Sequence, residues 1–324
     1  MTVADRRASD DRADREAAST ASAAASLPPA GSSSPSGARH SASSGSTSTA
    51  GAGGSSASTR WWQAAGVPSV QAPGVVAGLL AALLVVYLVL PVIALAWTTP
   101  PGALPGVFDP GVVRAAVTSV TTATASTLVA LVAGVPLAYA LARGSFPGRS
   151  LLLAVVVFPL VLPPVVGGML VLTVVGPGSP LGAAAAALGV PLTQSAAGVV
   201  LAQTFVAAPF TVVTAKAAFE SVDPRLEDAA RTLGRGPVST VRSVTLPLAR
   251  RGIVAGLTLT FARSIGEFGA TTMLAYHPRT MPVQIWVSYL STGLDGAFPV
   301  ALVLLATSAT ALGAVWLLGR TPWG

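Results

Sequence analysis

The chain has 324 residues, of which 52% are hydrophobic and only 10% charged, too apolar for a water-soluble globule, where charged residues run near a quarter. Its formal charge is +7, but the basic residues sit at the ends of hydrophobic runs without aromatic interleaving, which favours membrane orientation over nucleic-acid binding. Cysteine is absent and the two histidines, His40 and His277, stand far apart in unlike surroundings, which excludes disulfides and a Cys nucleophile and argues against a metal site.

From Met1 to about Pro73 the sequence is Ser, Ala and Gly with small clusters of Arg and Asp. It holds too little apolar area to offset the entropy of ordering it, so residues 1–73 are expected to form a disordered cytoplasmic tail. No apolar h-region follows the early arginines, so no secretory signal is visible. Arg60, Trp61 and Trp62 near the end of the tail have the character of an interfacial anchor, or are an aromatic pair in a linker.

Six apolar segments follow, at 75–97, 112–141, 151–175, 195–217, 252–274 and 297–318. Each is long enough to cross a hydrocarbon core of about 30 Å as a helix, and their continuous runs lack the period-two alternation of a water-filled barrel. The expected fold is therefore all-α, a polytopic membrane protein with six transmembrane helices over 74–320. Arg143 and Arg149 fall between the second and third segments, six arginines between the fourth and fifth, and Arg320 after the sixth. Basic residues mark the cytoplasmic side, so both termini and the long charged loop are expected inside. Pro163 and Pro164, followed by Gly167 and Gly168, should distort the third span, either as a packing kink or as a gate.

The charged loop, taken as residues 219–251, is ordered by its own signals. Asp223 before Pro224 opens a helix as N-cap and first helical position. Leu226, Ala229, Ala230 and Leu233 then recur on one helical face, and Gly234 stands where a left-handed C-terminal cap is needed. The result is an amphipathic helix of about ten residues, with Glu227 and Asp228 in its first half. A second helix is expected from Pro237 to about Pro247. Periodicity alone suits equally a docking helix and a loop helix that is solvated or lies on the membrane surface.

Asp228, Ala229, Ala230, Gly234, Val244, Leu246 and Pro247 match the spacing of the EAA loop in permease subunits of bacterial ABC importers, with Asp where Glu is commoner. The resemblance extends more loosely from about residue 75 to 320 and implies the type I importer permease fold, most like the molybdate and sulfate group. It implies that Leu226 to Ala230, Leu233, Gly234, Val244, Leu246 and Pro247 couple the chain to a separate ATPase subunit. Two permease copies, two ATPases that use ATP and Mg, and a periplasmic or lipid-anchored binding protein would form the assembly in a bacterial plasma membrane. This chain itself would bind no cofactor; it contains no G-x-x-x-x-G-K-[ST] motif, and neither H-E-x-x-H nor G-x-S-x-G. Some relatives carry a regulatory domain after the last span, and none is expected here.

The fifth segment reads GLTLTFARSIGEFGATTML, and its Ala-Arg-x-x-Gly-Glu-Phe-Gly run is similar to the equivalent span of molybdate and sulfate permeases. That resemblance points to a tetrahedral oxyanion as cargo, molybdate first, then tungstate or sulfate. Arg263 and Glu267, at i and i+4, can pair on one face, either as a structural ion pair or with Arg263 facing the anion. Thr118, Thr121, Thr122, Thr124, Ser126 and Thr127 in the second span could donate to a passing anion or bond their own backbone. A secondary carrier using Glu267 as a proton site is the remoter alternative.

Overall fold

Hydrophobic runs of this length leave backbone amides no partner in lipid other than their own helix. The computed structural model describes residues 72–319, which are mostly helical with no strand among them. Apart from its last two residues the expected tail, with His40, Arg60, Trp61 and Trp62, lies outside the described residues, as does Arg320.

Each of the six expected segments is helical. Helix α1 runs Ala72–Thr98 and exposes its apolar side chains along its length, Leu83 and Tyr87 among them. A 3-10 turn at Pro101–Phe108 leads into α2, Pro110–Arg143. Helices α3 (Arg149–Val161) and α4 (Pro164–Val175) follow, then α5 (Pro180–Ala187) and the central α6 (Ala196–Glu220). The charged loop contributes α7 (Pro224–Thr232) and the short α8 (Pro237–Thr240). Last come α9 (Leu246–Ile265), α10 (Gly269–Leu274), α11 (Met281–Thr292) and α12 (Leu294–Gly319). Four of these helices are long and apolar enough to cross a membrane unaided, and α3 with α4 makes a fifth if the bent pair is one span.

The third segment is sharper than a kink: α3 and α4 meet at 120°. Leu162 and Pro163 each precede a proline and take extended conformations, ψ 140 and 131, because the following pyrrolidine ring disfavours the helical region. The fifth segment is broken too. It was expected as one helix over 252–274, but α9 ends at Ile265 and α10 restarts at Gly269.

Prolines within the other long helices are absorbed without a break. Residues 130–134 and 241–245 form π turns that precede Pro136 and Pro247 by two residues. Within the second, Leu246 N–H reaches back five residues to Val241 O, so the wider turn spares the proline ring its clash with the carbonyl four residues earlier. The helix expected to stop near Pro247 therefore continues through it into α9, and the charged loop is joined to that helix without a hinge.

Helix α6 lies at the centre, with Val199, Ala202, Ala207, Ala215 and Phe219 fully buried. Gly252 and Gly256 on α9 sit against Ala218 and Thr211 of α6, a small-xxx-small contact of the kind that lets spanning helices approach closely. The α4–α10 crossing is equally tight. A Cβ at Gly168 would lie 2.7 Å from the backbone of Ala270, where nothing flexible can give way. Gly168→Ala is expected to reduce the protein recovered in membranes by several-fold, through overpacking of about 1–3 kcal/mol, while Gly178→Ala, in open space, leaves recovery unchanged.

Two ends of the bundle differ in character. One gathers Arg143, Arg149, Lys216, Glu220 and Glu227 through ion pairs. The other joins the loop before α6 to the loop after α10, where Gln194 N–H donates to Leu274 O and His277 N–H to Gln194 Oε1.

Candidate functional site

At the charged end, α7 forms as its sequence signals require. Asp223 Oδ1 accepts from Arg225 N–H at 2.9 Å, and Pro224 opens the helix. The helix closes with Arg235 N–H on Ala230 O and Gly234 N–H on Arg231 O, and Gly234 has φ +83. That pair of bonds with a left-handed residue is the Schellman arrangement. Leu226 and Ala229 are exposed, Leu233 is 84% exposed and Val238 just beyond is 81% exposed. Exposed apolar side chains gathered on a capped helix make this face a candidate docking surface; Val238 is an addition that the α8 position supplies.

Several residues grouped with this surface turn inward instead. Glu227 is 4% exposed and Ala230 is buried, while Leu246 packs on the core formed by Val135, Leu141, Ala215 and Phe219. Val244 is half-buried, Pro247 exposed, and Asp228 exposed with Arg231 beside it. Glu227 is thus turned away from the exposed face of α7. Its Oε1 accepts from Arg143 Nε at 3.0 Å and Nη2 at 2.9 Å and from Thr245 Oγ1 at 3.0 Å. Arg143 Nη2 also donates to Val222 O at 2.8 Å. A buried carboxylate is tolerable because a charged fork and a hydroxyl replace its water. The partners lie 84 and 18 residues away; the one hint in the sequence is an arginine closing the second span.

In the membrane interior, Arg263 pairs with Glu267 as expected, but not along one helix. Glu267 sits in the break between α9 and α10, 1% exposed, and its Oε1 accepts from Ala270 N–H at 2.8 Å. It therefore caps α10 with one oxygen and holds Arg263 with the other. Gly266 before it and Gly269 after it were the signal for that break.

Most of the hydroxyls expected to line a path in the second span are already engaged. Thr121, Thr122, Thr124 and Thr127 donate to carbonyls three or four residues back in α2, and Thr118 is half-buried, its own carbonyl receiving Thr122. Ser126 is fully buried, 3.3 Å from Ser264 Oγ and accepting from Thr204 Oγ1. Thr122 and Ser126, expected on a substrate path, are buried within this chain: Thr122 satisfies its hydroxyl on the backbone of its own helix, and Ser126 meets neighbouring hydroxyls. Arg263, its side chain 30% exposed, and the half-buried Thr118 are the members of that set left partly open. An apolar pocket of about 350 Å³ between Leu95, Phe268, Trp286 and Phe298 offers an anion no charge or donor array.

A family model described as "Binding-protein-dependent transport system inner membrane component" matches residues 130–320, which include α7 and both breaks. The chain belongs to this family. The permease is 61% identical over 250 residues, 76% of its own length and 90% of the relative's, to a protein of Haloferax volcanii named a probable molybdenum ABC transporter permease protein. It is 39% identical, over 65% of its length and 81% of the relative's, to the molybdate/tungstate transport system permease protein WtpB of Thermococcus kodakarensis. Among solved structures, a bacterial ABC transporter that imports the acidic polysaccharide alginate shares its fold, with a TM-score of 0.61 at 19% identity over 77% of the permease and 96% of that chain. The all-α importer permease fold expected from the charged loop is the one found.

Proposed function

We propose that this permease carries molybdate across the cytoplasmic membrane, as a homodimer driven by two ATPase subunits and supplied by an external binding protein. The observation that carries the reading is the bare face of α7: Leu226, Ala229 and Leu233, presented on a helix fixed at both ends and continued by Val238. A partner pressed on that face reaches the spanning helices through rigid elements, so nucleotide-driven closure of the ATPases can bias inward- and outward-facing forms that differ by a few kcal/mol. ATP and Mg are used by the ATPase, and the charged end lies in the cytoplasm with the chain's termini. The molybdenum and molybdate/tungstate names of the relatives support a tetrahedral oxyanion as cargo, with tungstate and then sulfate the nearest competitors. Arg263, partly open and within the bilayer, is the charge best placed to balance a passing dianion. A proton-coupled carrier built on Glu267 is disfavoured because both carboxylate oxygens are engaged.

The test is ATP hydrolysis by the permease reconstituted with its ATPase and binding protein, titrated with molybdate, tungstate and sulfate. Molybdate should stimulate at the lowest concentration. Uptake by the permease alone, driven by a proton gradient without ATP, would overturn the reading. A second expectation concerns Gly234: a Cβ there meets open space, so Gly234→Val acts only through its φ of +83, a cost of about 1–2 kcal/mol for a residue with a side chain. ATPase association and uptake should fall together by several-fold, as read by co-purification and vesicle assay.

A further inference from the structure

We infer that the buried cluster of Glu227, Arg143 and Thr245 is the joint that carries motion from α7 into the spanning helices, and that Glu227 and Arg143 are positioning residues for transport and not contacts with the ATPase. The inference rests on the docking role proposed for α7 and adds where the force goes after it arrives.

Three elements meet on one carboxylate oxygen. Arg143 is the last residue of α2, Glu227 lies in the first turn of α7, and Thr245 ends the π turn that leads into α9. The arginine fork also grips Val222 O, just before the Asp223 cap. The start of α7 is therefore held at two points by the end of α2, while Glu227 is tied to the start of α9. Both spanning helices then run to the same interior place, where Ser126 of α2 faces Ser264 of α9 at 3.3 Å, next to Arg263. A push on Leu233 cannot tilt α7 without either moving α2 and α9 together or breaking charged hydrogen bonds in a site shielded from water. A planar fork that bridges two acceptors resists rotation in a way that a single ammonium on a flexible stem does not. The exposed ion pairs at this end do not join α7 to another helix: Arg231 spans Glu227 and Asp228 within α7, and Arg149 and Lys216 converge on Glu220 at a site left partly open to solvent, where such pairs contribute little.

Arg143→Lys keeps the charge and loses the bridge. In proteoliposomes containing the full complex, with ATP hydrolysis and molybdate uptake measured on the same preparation, this variant should hold its ATPase as tightly as the parent. Anion moved per ATP should fall about ten-fold, within the range of coupling free energies between sites. Glu227→Gln should behave alike, and if it fails to accumulate in membranes Arg143→Lys alone decides. Leu233→Asp in the same series separates the two ideas. If it leaves ATPase association intact, the docking reading fails. If it abolishes association while Arg143→Lys transports at the parent ratio, the joint is wrong. Loss of association in Arg143→Lys or Glu227→Gln to the same degree as in Leu233→Asp would make the cluster part of the docking surface and overturn the inference as well.

Discussion

Arg263→Met is expected to damage the permease more than removing Arg263 and Glu267 together. The single substitution strands a carboxylate that is 1% exposed, and breaking a buried pair on one side costs about 3–5 kcal/mol. Glu267→Gln should be milder. The amide oxygen still accepts from Ala270 N–H, so α10 keeps its cap, and the stranded cation belongs to a side chain that is 30% exposed. The double variant Arg263→Met with Glu267→Gln leaves no charge and keeps the cap. Recovery from membranes and the thermal midpoint of the detergent-purified protein should therefore rank the double first, Glu267→Gln next and Arg263→Met last. Uptake separates folding from transport: if Arg263 also balances the anion, the double variant will fold and still fail to move molybdate. Additive losses in the two singles would rule out the pair, since residues sharing one interaction do not add.

Leu233→Asp has the second large effect, in the opposite setting. The side chain is 84% exposed, so within the chain the change is worth no more than about 0.5 kcal/mol. Against a partner it places a carboxylate in the middle of an apolar contact, where central residues commonly contribute about 2 kcal/mol or more, or about 30-fold in affinity. Co-purification of the ATPase should be lost while membrane levels of the permease hold. Equal recovery of the ATPase would mean that the face of α7 is not where the partner sits. Leu83→Ser on α1, also apolar and exposed, is a control for changes at a surface outside the charged loop.

The membrane class, the six helical segments and the capped helix of the charged loop could all be read from residues alone. These features depend on interactions within about one helical turn or on the length of an apolar run, and both are written in order along the chain. Asp223, Pro224 and Gly234 act on their own neighbours, so their roles survive whatever the rest of the protein does. Arg263 and Glu267 were legible as partners for the same reason, four residues apart. Their setting was not, because Glu267 leaves the helix to cap α10, and the tight seat of α10 against Gly168 of α4 belongs to the packed structure.

Whether a polar side chain faces a partner, a path or the chain's own interior was decided by tertiary structure. Glu227 sits among the residues proposed to couple to an ATPase, yet the approach of Arg143, 84 residues away, turns it inward. Ser126 and Thr204 meet through the packing of α2 on α6. A turn signals itself through adjacent residues. A buried ion pair depends on which helices pack together, and that is settled when many distant apolar surfaces leave the lipid at once; no local spacing encodes it.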